Sequence, residues 1–233
     1  MTDDRDRWNE KYADPAFDLP EEPIPELARR IDTLPEGRAL DVATGTGRNA
    51  IFLAACGYDV EAIDVADAAL EAARTRADER GVEVDWIRAD ISEVSLDRDA
   101  YDVITVSFFD VLEHLETLVD ALAPGGVLVY DHHLRTTDPI DVGPSSDEFR
   151  FEANELLRAC LDDLTVLSYE ERRRPEPIGG RADESDEGDA ADRDRQQIGA
   201  VATLVARNSS GETQSYPILA ERDDRGAGEE PVN

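Results

Sequence analysis

An α/β fold is predicted: a doubly wound, seven-stranded, mostly parallel Rossmann-like sheet with an antiparallel C-terminal hairpin at one edge. Three observations predict it. Residues 38–54 read as strand, glycine loop and helix. Short apolar runs then alternate with helical segments as far as residue 130, the pattern of parallel strands joined by right-handed crossovers. Two later strand-like runs have no helix between them, which favours an antiparallel pair.

Residues 1–34 form a helical cover segment ahead of the sheet. Its first 23 residues are polar but carry Trp8, Tyr12 and Phe17. Trp8 and Tyr12 are one helical turn apart and can dock together, either as plain packing of an N-terminal helix or as a flap over a site. Ile24, Leu27, Ile31 and Leu34 give a short amphipathic helix after Pro23. The main domain, residues 35–207, opens with strand 39–43, an apolar run interrupted by Asp41, and helix 48–56. Strand 60–64 precedes helix 66–80, which Gly81 closes from the C′ position. Further strands are read at 82–87, 101–107 and 127–130, with a helix at 111–122 that stops at Pro124-Gly125-Gly126. A helix at 151–161 and strands at 164–169 and 197–206 complete the domain. Residues 172–195, rich in Arg, Asp, Glu, Gly and Pro, read as a solvated loop, and 208–233 as a polar tail.

The 233 residues suffice for one domain with a sizeable core. They include 55 acidic against 24 basic residues, a net charge of −31, and Lys11 is the only lysine. Such a charge repels nucleic acid and anionic membrane surfaces. It points to a salt-adapted, halophilic protein of the cytoplasm, monomer or homodimer, whose partner is a small molecule. The two cysteines, Cys56 and Cys160, lie in apolar helices without metal-type spacing, so buried free thiols and no metal are expected. No apolar run approaches the roughly 18 residues of a membrane span, and the opening residues Met1-Thr2-Asp3-Asp4-Arg5-Asp6 do not read as a signal peptide.

The glycine loop brings backbone N–H groups close to a ligand at a helix N-terminus. Gly45 can take a positive φ, Gly47 lets a ligand approach the backbone, and Ala50 stands where a dinucleotide fingerprint has its third small residue. Asp41 precedes the loop by four residues, at the carboxyl end of its strand. A carboxylate there suits a cationic partner and would repel a pyrophosphate. Asp64, 17 residues after Gly47, stands close to where an acid reads ribose hydroxyls. A ligand with a ribose, a positive charge and no phosphates satisfies both acids, and S-adenosylmethionine is such a ligand. A nicotinamide oxidoreductase fits poorly, because the sole lysine lies outside the sheet.

The run Leu40-Asp41-Val42-Ala43-Thr44-Gly45-Thr46-Gly47-Arg48-Asn49 resembles the first motif of class I S-adenosylmethionine-dependent methyltransferases. The Arg48-Asn49 pair and the segment Arg7-Trp8-Asn9-Glu10-Lys11-Tyr12 are similar to the tellurite-resistance and thiopurine methyltransferase branch. Ile63-Asp64, Arg88-Ala89-Asp90-Ile91, Tyr101-Asp102-Val103-Ile104 and Leu122-Ala123-Pro124-Gly125-Gly126-Val127-Leu128 follow in the family's order. The resemblance implies that Asp41 holds the methionine amino group, Gly45 and Gly47 admit the methionine and sugar, and Asp64 accepts from the ribose. It implies Asp90 on the adenine amino group, with Val65 and Ile91 sandwiching the base; for Asp64 and Asp90 helix capping is the alternative. Ser107 and Phe108 end the fourth strand and would line the transfer region, beside Tyr12. His132 and His133 follow the fifth strand; one should face the site, as substrate contact or base, and the other the opposite side. His114 reads as surface, and Arg135 and Arg150 could meet an anionic acceptor. The Asn-Pro-Pro-Phe type motif of nucleic-acid amino methylation is absent, Ser107-Phe108-Phe109-Asp110 standing in its place. The expectation is therefore a methyltransferase acting on a small-molecule acceptor, with a non-catalytic S-adenosylmethionine-binding or sensor protein as the alternative.

Overall fold

The structure, a computed structural model, describes residues 2–14, 17, 19–176 and 197–209. Its centre is one seven-stranded sheet. The strands are β1 (Arg38–Val42), β2 (Asp59–Asp64), β3 (Asp85–Arg88), β4 (Tyr101–Ser107), β5 (Leu122–His133), β6 (Thr165–Glu176) and β7 (Gln197–Arg207), in the order β3-β2-β1-β4-β5-β7-β6. The first five run parallel. β7 is antiparallel to both β5 and β6, so the last strand in sequence lies inside the C-terminal hairpin and β6 forms the edge. The helices are α1 (Thr2–Ala13), α2 (Pro25–Arg30), α3 (Arg48–Ala55), α4 (Asp67–Arg80), α5 (Leu115–Ala121) and α6 (Glu155–Cys160).

The near-continuous apolar runs form central strands because both faces are covered. Leu40, Val42, Ile104, Val106, Leu128 and Leu204 point into one core with Leu118 and Leu156. Ala39, Ala62, Val103, Val127, Val129 and Val205 point into the other, which also buries Leu53 of α3 and Ile24 and Leu27 of the cover segment. Burying a leucine such as Leu27 is worth about 1.5–3 kcal/mol, so the cover segment is tied to the sheet by packing. Gly81 ends α4 in the left-handed conformation, its N–H bonding to the Ala77 and Asp78 carbonyls.

Several boundaries differ from the sequence expectation. β5 begins at Leu122, which pairs with Tyr101 of β4; past an irregularity at the Pro-Gly-Gly segment its ladder resumes at Val127, with β4 on one side as far as Asp131 and β7 on the other as far as His133. Both histidines therefore lie within the strand rather than after it. β6 extends to Glu176, since β7 pairs with it residue by residue over charged positions that read as loop; residues 177–195 of that expected loop lie outside the described residues. The helix expected at 111–122 is a 3-10 turn, Leu112–His114, followed by α5. The helix expected at 24–34 likewise passes from α2 into a 3-10 turn at Ile31–Thr33. Cys160 is buried, but Cys56 is exposed, because α3 ends at Ala55 and Cys56 sits beyond its packed face. Beyond Asn208 and Ser209, the polar tail lies outside the described residues; Asn208 itself is tied to Gly126 and Leu122 by backbone and side-chain bonds. Among the described residues no helix is long and apolar enough to cross a membrane.

Candidate active site

The strand order reverses between β1 and β4, and the crevice at their carboxyl ends is where open α/β sheets hold ligands. Two non-glycine residues in the left-handed region stand there: Ala43 just after β1 (φ 53°) and Phe108 just after β4 (φ 56°). Each stores strain of order 1 kcal/mol, a cost concentrated where the chain must turn sharply at a site.

Asp41 is wholly buried on β1 and accepts from Thr44 Oγ1 at 2.5 Å, Thr105 Oγ1 at 2.6 Å and Asn49 Nδ2 at 3.5 Å. Burial raises its pKa, and the two hydroxyls and the amide pull the other way. Asn49 also donates to Ser107 Oγ at 2.8 Å and accepts the Ile24 N–H at 3.0 Å. One buried network thus joins the start of α3, the ends of β1 and β4, and the cover segment. Asp64 ends β2 and accepts the Gly45 N–H on Oδ2 at 2.7 Å and the Ala66 N–H on Oδ1 at 2.9 Å. Burial raises its pKa too, opposed by those backbone donors.

The two glycines have different neighbours. A side chain at Gly45 (φ 56°) would come within 2.8 Å of Tyr12 Oη; one at Gly47 (φ 82°) would meet Trp86 and Ala73. The missing side chain of Gly47 therefore makes room for helix–sheet packing, while Gly45 faces the cover. That cover is α1. Trp8, Tyr12 and Phe17 pack ring to ring, with centroids 5.8 and 5.4 Å apart, and Lys11 Nζ lies 4.5 Å from both the Trp8 and Phe17 rings. Asn9 Oδ1 accepts the Ala68 N–H, satisfying a free donor in the first turn of α4. Burial, reinforced by the Asp64 charge, pushes the Tyr12 phenol far above its usual range, so it stays protonated.

Asp90 follows β3 and caps a 3-10 turn, Oδ1 accepting from both the backbone and the hydroxyl of Ser92, bonds that lower its pKa. The capping alternative is therefore realised. Ile91 is buried in the core beside it, and Val65 is half-buried.

The two histidines part, as the strand alternation requires. His133 stacks on Phe108, centroids 4.4 Å apart, and the Arg48 guanidinium lies 5.5 Å from the far ring. His132 faces the opposite core, against Phe151 at 3.9 Å and edge-on to Tyr130 at 6.1 Å, and is 3% exposed. It is thereby removed from the crevice and from the catalytic candidates. Burial lowers the His132 pKa to about 4; the Phe149 backbone approaches and offsets this slightly, without hydrogen-bonding geometry. A histidine whose folded pKa is depressed favours folding above its unfolded pKa of about 6.5 and opposes it increasingly below. His132→Leu should therefore flatten the loss of stability between pH 6.5 and 4 by up to about 3 kcal/mol. Urea unfolding at both pH values measures it, and parallel pH profiles for the two proteins would refute it.

Of the other expected residues, Arg150 is folded back on the Pro144 carbonyl, near His133, whereas Arg135 is held outside by Glu152. His114 is half-buried in its 3-10 turn rather than on the surface. The crevice brings together Asp41, Gly45, Asp64, Ser107, Phe108, His133 and Tyr12. Sequence reasoning gave no site role to Asn49, Thr105, Asp131 or Arg174. The signal for Thr105 and Asp131 was a polar residue inside an otherwise apolar strand, as it was for Asp41.

The methyltransferase-domain family matches residues 39–126, from β1 into the start of β5. Residues 39–126 thus resemble a methyltransferase domain. A demethylmenaquinone methyltransferase of Clavibacter sepedonicus is 31% identical over 57% of this chain and 62% of its own. A ubiquinone biosynthesis O-methyltransferase of Rickettsia felis is 32% identical over 48% of each. The chain thus spans about half to three-fifths of the length of these curated relatives. TehB from Haemophilus influenzae shares the fold with a TM-score of 0.61 at 20% identity, over 88% of this chain and 66% of its own. So does a structure described for conversion of a disulfide bond into a thioacetal in echinomycin biosynthesis, with a TM-score of 0.64 at 19% identity over 89% of this chain and 90% of its own. The family match ends at Gly126; β5 beyond that point, with β6 and β7, lies outside it.

Proposed function

We propose that the protein is an S-adenosylmethionine-dependent methyltransferase acting on a small-molecule acceptor. The observation that carries this reading is the placing of Asp41, Asp64 and Asp90 at or just past the carboxyl ends of three adjacent strands. These are hydrogen-bond acceptors, suited to amino groups and ribose hydroxyls and unsuited to a pyrophosphate. The residues fit the cofactor. Asp64 uses one lone pair of each oxygen on the loop and keeps others for two hydroxyls. Asp41 offers a carboxyl group behind the loop, which a cationic amine would hold ionised, directly or through water. Asp90 caps with Oδ1 alone in its hydrogen bonds to Ser92, which leaves Oδ2 for an adenine amino group. Bound there, the sulfonium supplies a methyl group that is already activated. What the chain adds is position and dryness: Ser107, Phe108 and His133 border the crevice, and α1 with Tyr12 covers the glycine loop.

Finer features belong to the same proposal. The Trp8–Tyr12 pair over the glycine loop supports the tellurite-resistance and thiopurine branch, without carrying over those acceptors. A monomer or homodimer belongs to the same reading. The net charge of −31 supports a salt-adapted cytoplasmic protein that avoids nucleic acid. The test is a thermal-shift comparison. S-adenosylhomocysteine at a hundredfold excess over its Kd should stabilise the protein by about 2.7 kcal/mol, roughly 5–10 °C, while NAD leaves the transition unmoved. Stabilisation by NAD and not by the nucleoside would sink the reading.

A further inference from the structure

On the crevice side of β5, one strand over from Ser107, two polar side chains stand two residues apart. Asp131 is level with Ser107 in the ladder, and its carbonyl accepts the Phe108 N–H at 2.8 Å. His133 follows on the same strand face. Asp131 is completely buried; its Oδ2 is paired with Arg174, which also donates to Thr203 Oγ1 at 3.2 Å. Its Oδ1 is buried without a hydrogen-bond partner, and so is Nδ1 of His133. A buried polar atom left unpaired costs of order 1–3 kcal/mol, so two such atoms on one face of β5 are places where a bound molecule gains by supplying a donor to each.

The surrounding charge selects which donor. Arg150, Lys11 and Arg174 all act electrostatically on His133. The Arg150 guanidinium and His133 Nδ1 converge on one point beside Gly143, 3.2 and 3.4 Å from where a side chain there would begin. Lys11, the chain's only lysine, is delivered by α1. With Arg174 balanced by Asp131, Lys11 and Arg150 leave the His133 side of the chamber locally positive in a protein of net charge −31. That side disfavours an ammonium acceptor and favours a group that becomes negative as it loses its proton.

We propose that Asp131 and His133 form the polar floor of the acceptor chamber and that the methyl acceptor is an ionisable hydroxyl of the phenol or enol class. The inference rests on the methyltransferase reading above. The reacting hydroxyl donates its one proton to His133 Nδ1, and Asp131 Oδ1, also an acceptor, takes a second O–H or N–H of the same molecule. The hydroxyl proton passes to the imidazole nitrogen as an oxygen lone pair forms the O–CH3 bond. The sulfonium–methyl bond breaks with its electron pair staying on sulfur, and the imidazolium later releases the proton to solvent. Arg174 is a positioning residue that neutralises Asp131 and keeps its free oxygen aimed at the chamber. Phe108 fixes the imidazole plane by stacking. Burial and the neighbouring cations hold the free imidazole neutral, with a pKa of about 3, so Nδ1 is available to accept at working pH. An oxyanion beside it would cancel part of that field and raise its basicity only while acceptor is bound.

The test uses the full chain with methyl-labelled S-adenosylmethionine and a set of matched small acceptors: phenols and enols, the corresponding anilines, thiols, and carbon nucleophiles with the hydroxyl blocked. Methyl ethers of phenols or enols are the expected products. His133→Gln, which keeps the packing and cannot accept a proton usefully, should lower turnover by about 10²–10⁴-fold. Its S-adenosylhomocysteine affinity should stay within twofold, and the rise of rate with pH should move toward the pKa of the free hydroxyl. Asp131→Asn should raise the KM for hydroxyl acceptors; if burying Arg174 unpaired prevents folding, the glutamine variant still decides. Transfer to amines, thiols or carbon in preference to hydroxyls overturns the proposal and leaves the methyltransferase reading intact. So does nucleoside binding with no ether formed on any hydroxyl, or wild-type turnover in His133→Gln. Failure to bind S-adenosylhomocysteine at all overturns both.

Discussion

Asp64→Ala should weaken S-adenosylhomocysteine binding by about 1–3 kcal/mol, a 5- to 150-fold rise in Kd, and should destabilise the free protein as well. The two effects have one origin. Both carboxylate oxygens are already engaged, one by Gly45 and one by Ala66, so the side chain ties the glycine loop to the start of α4. Removing it strands two buried N–H groups, each worth of order 1–2 kcal/mol when left unmet. Part of this is returned because a buried carboxylate is itself costly, as its raised pKa indicates. A net stability loss of about 2 kcal/mol is the expected balance. Asp64→Asn separates the roles. One amide oxygen can serve one N–H, but the NH2 group faces the other donor, so the loop is half-held and only part of the hydroxyl recognition survives. Calorimetric affinity in the order Asp, Asn, Ala is the expected result. Equal affinity in all three proteins, with stability still falling, would make Asp64 a scaffold residue alone and take it out of the cofactor site.

That double use explains what the sequence did and did not disclose. The strand–loop–helix unit was legible because local rules force it: an apolar run buried on both faces, glycines at the left-handed positions 45 and 47, a helix beginning at Arg48. Gly81 as a helix terminator is equally local. The ends of β5 and β6 were not legible, since their extra residues become strand only by pairing with β7, far away in sequence. Charged residues such as Arg172 and Arg173 have low strand propensity, and pairing overrides it.

The same division holds at the site. Asp41 and Asp64 stood out because an acid closing an apolar run has no reason to be there except a partner. Asp131 carries the same signature but lacks a flanking glycine loop to draw notice. Arg174 could not be found by pattern at all, since its meaning depends on a bond to Asp131 across the sheet. His132 and His133 are neighbours in sequence and opposites in space. The alternation rule separated them, but only the packing of Phe108 on one and Phe151 on the other tells which is which. The proposed cofactor half of the crevice is built from contiguous motifs; the proposed acceptor half is assembled from α1, β5, β6 and a loop, and so is written in no single stretch.

Melting temperature should climb with KCl from dilute buffer toward molar concentration, by about 10 °C, or roughly 3–5 kcal/mol for a chain of this size. The reason is the imbalance of 55 acidic against 24 basic residues. Like charges on a compact surface repel, and unfolding relieves the repulsion by separating them. At low salt the field reaches well beyond neighbouring side chains; at 1 M it decays within about 3 Å. Salt also screens favourable pairs such as Arg98–Asp120 and Arg135–Glu152, but these are solvent-exposed pairs worth about 0–1 kcal/mol each, and most acids outnumber any cation near them. Repulsion therefore dominates the sum, and its loss stabilises the fold. An ordinary preferential-exclusion effect would act on any protein surface, so an osmotically matched sucrose series is the control. A gain in KCl well above that in sucrose is expected. A transition highest in dilute buffer, or equal gains in both solutes, would show that the surface charge is not what sets the stability of this protein.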